Sequence, residues 1–269
     1  MTALSIKEGH GYNNKMKSAL TIAGSDPTGG AGFQADLKVF RAFGVHGLSV
    51  PAVLTAQNTS GIGRISSVDP EFFRVQMEEL LQDIRPDSIK TGMLYSAWAV
   101  NTAADMIREH SLENLVVDPV TVSSSGTSLV DNGTLDRIRD ALFPLARVIT
   151  PNIYEASVYT GVNVETEKDM KEAALRLKEL GAEVVVITGG HLERVTLDLY
   201  FDGSDFHDLE APKIEGEYHG TGCAFSAAIA AALALGHPPL ESVTKAKEFV
   251  TGAIRKAYHL GKGMRILNL

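Results

Sequence analysis

Residues 18–32 read SALTIAGSDPTGGAG, and the fold is decided by how this stretch ends. Ala19–Ala23 is a short apolar run with the character of a buried strand. It gives way to a turn with four glycines between Gly24 and Gly32. Such a turn brings the backbone close to a ligand and opens a helix whose first N–H groups face the site. Phe33–Phe43 follows, with Phe33, Leu37, Phe40 and Phe43 at helical spacing. Strand, glycine-rich turn and helix form one β–α unit.

The unit recurs along the chain. Val45–Ala56 reads as a second strand region and Pro70–Ile84 as an amphipathic helix through Phe72, Phe73, Val75, Met77 and Leu80. Ser88–Leu94, Leu115–Val120 and Val148–Thr150 are short strands, each followed by a helical segment. Lys168–Leu180 is a helix that stops at Gly181, and Val184–Ile187 is a buried strand of four β-branched residues. Thr196–Tyr200 and Phe206–Leu209 form a hairpin around Asp202-Gly203. Two helices close the chain, Gly222–Leu235 and Leu240–Tyr258. This alternation predicts an α/β fold: a three-layer α/β/α sandwich around a mostly parallel central sheet, with ligands beyond the carboxyl ends of the strands. Residues 1–15 are polar and without period and read as a flexible extension; residues 16–269 read as a single domain.

Composition excludes several classes of protein. Ala224–Leu235, the longest apolar stretch, is well short of the roughly 20 residues that span a bilayer. One cysteine makes neither an internal disulfide nor a thiolate zinc cluster. A net charge of −8 leaves no basic face for nucleic acid. What remains is a cytoplasmic enzyme acting on a small molecule.

Five strand-ending loops carry polar chemistry. Gly24–Gly32 fits neither a dinucleotide fingerprint nor a P-loop, and reads either as a ligand loop or as a plain tight turn. In Thr55-Ala56-Gln57-Asn58-Thr59, the Gln57 amide offers a donor and an acceptor suited to a flat nitrogen heterocycle, while Asn58 and Thr59 would equally cap a turn. Asp118 ends a strand as a metal-site candidate or a helix cap. Asn152 and Glu155 share a helix face as Mg²⁺ ligands, or form a capping box. His219-Gly220-Thr221-Gly222-Cys223 opens the alanine-rich helix with free N–H groups, an anion hole in which the helix dipole is expected to lower the pKa of Cys223.

Taken in order, AGSDPTGGAGFQADLK (23–38), TAQNTSG (55–61), KTGML (90–94), DPV (118–120), TPNIYEA (150–156) and HGTGC (219–223) resemble the hydroxymethylpyrimidine/phosphomethylpyrimidine kinases, a branch of the ribokinase-like superfamily. The resemblance runs from about residue 18 to 260. It implies ATP and Mg²⁺ as cofactors, and phosphorylation of a pyrimidine hydroxymethyl group and then of the monophosphate. By resemblance Gln57 bonds the aminopyrimidine, and Ala31, Thr55 and Met93 line its pocket. Gly220, Thr221 and Gly222 form the anion hole with Cys223, which stands where most ribokinase-like enzymes have a general-base Asp. Asn152, Thr188 and Gly189 serve ATP; Glu155 and Asp118 serve the metal. A homodimer is expected.

Two departures from the family pattern stand out. Lysines usual in the branch are replaced by Ser124, in Val120–Gly126, and by Thr188, in Thr188–His191. The tail Gly261–Leu267 lacks the usual Gly-Pro-Val ending. Lys90, Arg64 and Lys213 are candidates to replace the lost charge. These losses bear most on the second transfer, to an anionic monophosphate. They leave a pyridoxal or pyridoxine kinase, or a non-catalytic pyrimidine-binding descendant, as alternative readings.

Overall fold

The computed structural model describes residues 16–121, 129–131, 133–189 and 195–269. The expected extension 1–15, Ser124 and Gly190-His191 lie outside the described residues. The elements run β1 (Ser18–Gly24), α1 (Gly32–Ala42), β2 (His46–Asn58), β3 (Gly61–Ser67), α2 (Pro70–Asp83), β4 (Ser88–Thr91), α3 (Ala97–Glu109) and β5 (Leu115–Val117). Then come α4 (Thr134–Arg137), which continues as a π turn over Ile138–Leu142, β6 (Val148–Ile149), α5 (Ile153–Thr160) and α6 (Glu167–Glu179). The chain ends with β7 (Val184–Gly189), β8 (Val195–Phe201), β9 (Phe206–Pro212), β10 (Tyr218–His219), α7 (Thr221–Ala234), α8 (Pro239–Arg255) and β11 (Arg265–Ile266).

Nine strands form one sheet in the order β3-β2-β1-β4-β5-β6-β7-β8-β9. The six from β2 to β7 are parallel, and the antiparallel members sit at the two edges. The edge hairpin β8–β9 is the one the sequence predicts. Its counterpart β3 is not, because GIGRISS (61–67) carries two glycines and three serines or arginines among only two β-branched residues. Asn58 makes the turn into β3, its Oδ1 accepting from the Ser60 N–H at 2.9 Å.

Strand periodicity divides the core in two. Leu20 and Ile22 of β1 face a layer packed by Phe73 and Met77 of α2, Ala103 and Ile107 of α3, and Met170 and Leu177 of α6. Ala19 faces the opposite layer, with Val39 and Phe40 of α1, the alanines of α7, and Val243, Ala246 and Val250 of α8. All of β1 is buried, as expected of a central strand.

Helix α7 is apolar all round and buried from Ala224 to Ala234. Small side chains let it lie close on the sheet, where Ser88 Oγ of β4 donates to the Ala230 carbonyl at 2.8 Å. Its N-terminus is thereby fixed near β1 and β4, the point at which the strand order reverses and ligands bind in open α/β sheets. Ala228 is fully buried within this packing. Ala228→Leu is expected to lower stability by about 1–3 kcal/mol in urea unfolding.

Candidate active site

The carboxyl ends of the parallel strands line up the expected residues in two groups with α7 between them. Toward one edge lie Gln57, Thr55, Ala31 and Met93; toward the other lie Asp118, Asn152, Glu155, Thr188 and Gly189.

Two helix N-termini meet at the centre. Neither α1, which follows Ala31, nor α7, which follows Gly220, has a side chain capping its first N–H groups. The helices approach so closely that a Cβ at Gly220 would overlap the Gly30 carbonyl oxygen. Gly220 also has φ +82°, so two separate constraints require glycine there. A Cβ at Gly32, with φ +60°, would likewise crowd the carbonyl of Gly24. The Thr221, Gly222 and Cys223 N–H groups stand at this uncapped end, with the dipole of a buried helix behind them, the arrangement an anion hole requires.

The glycine-rich turn is tied around one carboxylate. Asp26 accepts from the N–H groups of Thr28 at 2.9 Å and Ala31 at 2.8 Å, and from Thr28 Oγ1 at 2.8 Å. Its Oδ2 also lies 2.8 Å from His219 Nε2. Burial would raise this carboxyl, but the His219 and Thr28 hydrogen bonds hold it below its ordinary range. His219 reaches on to the Gln57 amide at 3.2 Å. Sequence reasoning did not single out either Asp26 or His219, although both lie within quoted motifs. Thr55 Oγ1 donates to the Ser25 carbonyl at 2.9 Å, and Met93 covers Gly24.

A second group, of which the sequence singled out only Lys90 and Asp118, lies near Cys223 at the start of α7. Lys90 and Asp36 are fully buried and paired at 2.9 Å, with Thr21 Oγ1 donating to Asp36 at 2.6 Å. Burial works against the Lys90 ammonium, but the charges of Asp36 and Asp118 and the hydrogen bond to Asp36 together more than offset it, so the pKa of the lysine is raised. Lys90 is therefore committed to the interior and does not replace a lost phosphate-binding lysine. Asp118 is buried, its Oδ2 3.0 Å from Ser226 Oγ of α7, and burial raises its pKa against the pull of Lys90.

These neighbours overturn the expected lowering of the Cys223 pKa. The side chain is half-buried. Burial pushes the thiol up to about 12; Lys90 and the Gly32 N–H pull it down, while Asp118 and Asp36 push it further up. Cys223 is a neutral thiol at physiological pH.

Of the two readings of Asn152 and Glu155, the capping box is formed. Asn152 Oδ1 accepts from the Glu155 N–H at 2.9 Å, and Glu155 Oε2 accepts from the Asn152 N–H at 3.0 Å. Glu155 Oε1 accepts from the Thr121 N–H at 3.2 Å. Burial and the like charge of Asp118 push Glu155 up to about 8 against these bonds. Among the described residues no cluster of three or more His, Cys, Asp or Glu side chains stands ready for a metal. Thr188 pairs with Asn152 across adjacent strand ends, and the Gly189 N–H donates to Asp198 Oδ1 at 3.1 Å.

Fold and site together define a small-molecule phosphotransferase. The phosphomethylpyrimidine kinase family model matches residues 26–268, and the chain belongs to that family. It is 46% identical over 248 residues to a bifunctional thiamine-biosynthesis protein of Geobacter sulfurreducens, covering 91% of this chain and 51% of that protein. It is 43% identical over 246 residues to the hydroxymethylpyrimidine/phosphomethylpyrimidine kinase of Streptomyces coelicolor, covering 91% of each. The chain thus spans about half of the first relative and nearly all of the second. Among solved structures, an ADP complex of Bacillus subtilis pyridoxal kinase superposes with a TM-score of 0.86 at 38% identity, covering 94% of this chain and 97% of that one.

Two tests follow from this geometry. Gly220→Ala forces both a left-handed φ and a backbone clash, and is expected to cost at least about 1–3 kcal/mol in thermal unfolding. A carboxyl raised in the folded state contributes stability below its unfolded pKa, and that contribution is lost as pH rises through the folded value. For Glu155 the window is about pH 4.5 to 8. Glu155→Gln is expected to melt progressively higher relative to the parent chain across that window; a constant difference in Tm would count against the raised pKa.

Proposed function

We propose that the chain is an ATP-dependent kinase that phosphorylates 4-amino-5-hydroxymethyl-2-methylpyrimidine and then its monophosphate. The observation that carries this reading is the uncapped N-terminus of α7, set between a heterocycle-binding edge at Gln57 and a nucleotide edge at Asn152 and Thr188. Family membership and the ADP complex of the B. subtilis neighbour support ATP as donor.

Phosphoryl transfer needs positioning and charge neutralisation more than covalent chemistry. Gln57 would hold the pyrimidine edge, with Ala31, Thr55 and Met93 around the ring. The N–H groups of Gly220–Cys223 would meet the charge that develops on the transferring phosphoryl oxygens. Asn152, Thr188 and Gly189 would serve the nucleotide. Asp118 and Glu155 supply buried carboxylate oxygens whose mutual repulsion a cation relieves, which suits Mg²⁺. With Glu155 already accepting two backbone N–H bonds, they would hold the ion through water. Bound there, Mg²⁺ would neutralise phosphate charge.

Cys223 keeps its proton at neutral pH and so acts on the acceptor hydroxyl as an orienting hydrogen-bond group. A loose transition state demands little prior deprotonation of the alcohol. We include in the proposal that residues 16–269 work as one kinase domain, and that it is a homodimer, supported by the exposed Leu54, Phe72 and Val75 on β2 and α2. A cytoplasmic location is in keeping with the unpaired cysteine.

A second reading, phosphorylation of a B6 vitamer, is favoured by the likeness to the B. subtilis pyridoxal kinase. Mass spectrometry after incubation with ATP, Mg²⁺ and the hydroxymethylpyrimidine is expected to show monophosphate and diphosphate. A kcat/KM more than about tenfold higher for pyridoxal would transfer the assignment to the second reading. Cys223→Ala is expected to reduce kcat by roughly 100-fold with a much smaller change in KM, and Cys223→Ser to recover most of it. An unchanged kcat in the alanine variant would demote the residue to pocket lining.

A further inference from the structure

The hydrogen bonds around Gln57 contain two conflicts that have one common solution. With the amide nitrogen toward His219, Gln57 Nε2 and His219 Nε2 are 3.2 Å apart, and the same imidazole nitrogen is 2.8 Å from Asp26 Oδ2. To bond the carboxylate, Nε2 must carry a proton, and it then faces a second donor in the amide. If it carries none, its lone pair faces the Asp26 oxygen. The proton then sits on Nδ1, which is buried without a partner among the described residues. A buried N–H without a partner is costly. The second conflict is at Thr55: its single hydroxyl proton is given to the Ser25 carbonyl at 2.9 Å, which leaves Gln57 Oε1 at 3.2 Å only a weak share of it.

Turning the amide by half a revolution eases both conflicts: no donor then faces a donor, and Thr55 no longer shares its proton. The Gln57 carbonyl shares the His219 Nε2–H with Asp26 Oδ2, the closer acceptor, in a three-centre bond, and the Gln57 amino group donates to Thr55 Oγ1. His219 Nδ1 is left as a bare acceptor, a smaller penalty than a stranded donor. We propose that His219, locked by Asp26 as the Nε2–H tautomer, is a positioning residue that fixes the Gln57 amide with its carbonyl on the His219 side and its amino group on the Thr55 side. This deepens the function proposed above and rests on it for the identity of the ligand.

The consequence is an ordered recognition edge. The second lone pair of the Gln57 carbonyl and its second amino proton are left for the ligand. A ring with a donor beside an acceptor in matching order, such as an exocyclic amine next to a ring nitrogen, makes both bonds. With the amide reversed, donor would meet donor and acceptor would meet acceptor. Asp26 therefore acts on the heterocycle through His219 and Gln57 without touching it.

Long-range proton–nitrogen NMR on the full-length protein labelled at histidine tests the tautomer, with His219→Gln assigning the signal. The expected result is a ring protonated at Nε2; a bare Nε2 with the proton on Nδ1 overturns the proposal. Steady-state kinetics with the aminopyrimidine tests the consequence. His219→Leu is expected to raise KM roughly tenfold and to lower kcat much less. His219→Gln, whose amide N–H donates at the position of Nε2, is expected to recover most of the loss. An unchanged KM in the leucine variant, or no recovery in the glutamine variant, overturns the positioning role. If the leucine variant does not fold, the glutamine variant and the NMR signal still decide. Failure of the parent chain to phosphorylate the aminopyrimidine would remove the proposed function, whereas the tautomer is read without any turnover.

Discussion

The absence of a side chain at Gly220 is the constraint on which the site depends. There the backbone of one strand-ending loop presses against the carbonyl of another, Gly30, and brings the ends of α1 and α7 together. The approach sets the position of the anion hole and of the Cys223 side chain beside the Gly32 N–H. It also places His219, one residue earlier, against Asp26. The chain secures that loop from the other side. β10 pairs in parallel with β11, and the tail just before β11 docks on the β2–β3 turn through the Met264 N–H to the Thr59 carbonyl at 3.0 Å. The tail that departs from the family pattern thus still braces the residue that faces Gln57.

Charge is distributed around this junction in an uneven way. Asp36 and Asp118 are buried near Lys90, which among the described residues is hydrogen-bonded to Asp36, and Glu155 is buried near Asp118. Asp118 is served by the field of Lys90 and by Ser226, and Glu155 by backbone N–H groups. An acidic interior of this kind opposes an incoming triphosphate unless positive potential is supplied elsewhere. Two helix ends supply part of it, and a divalent cation would supply the rest. The overall charge of −8 is then no obstacle, since the field at the site is set by local dipoles and ions.

Most of the architecture was legible because it rests on local periodicity. β1, α1, α6 and the β8–β9 hairpin carry their own patterns of apolar residues, caps and turn residues. β3 was not legible, since its pairing with β2 compensates for a run poor in strand formers. In the site, the residues named from motifs fall at the strand ends expected of them, and Asn152 with Glu155 makes the capping box that the letters allowed. The Cys223 pKa was misjudged for a definite reason. The helix end is visible in the sequence, whereas the burial and the nearby Asp118 and Asp36 arise only from register and packing. Lys90 likewise reads as a lysine free for phosphate until β4 lies beside β1 and brings it to Asp36 across from Thr21.

The same electrostatics gives a reason for a thiol at position 223. By resemblance, most ribokinase-like enzymes have an aspartate at the end of this motif. Here a carboxylate would join Asp36 and Asp118 around Lys90. Like charges at such range raise one another's pKa, so the added acid would either stay protonated or displace the charge of its neighbours. A thiol avoids the choice, because its neutral form is already favoured by burial and by those carboxylates. It can orient an alcohol without adding charge beside the phosphates. The arrangement suits an acceptor held by its ring at Gln57, with the anion hole rather than a strong base lowering the barrier.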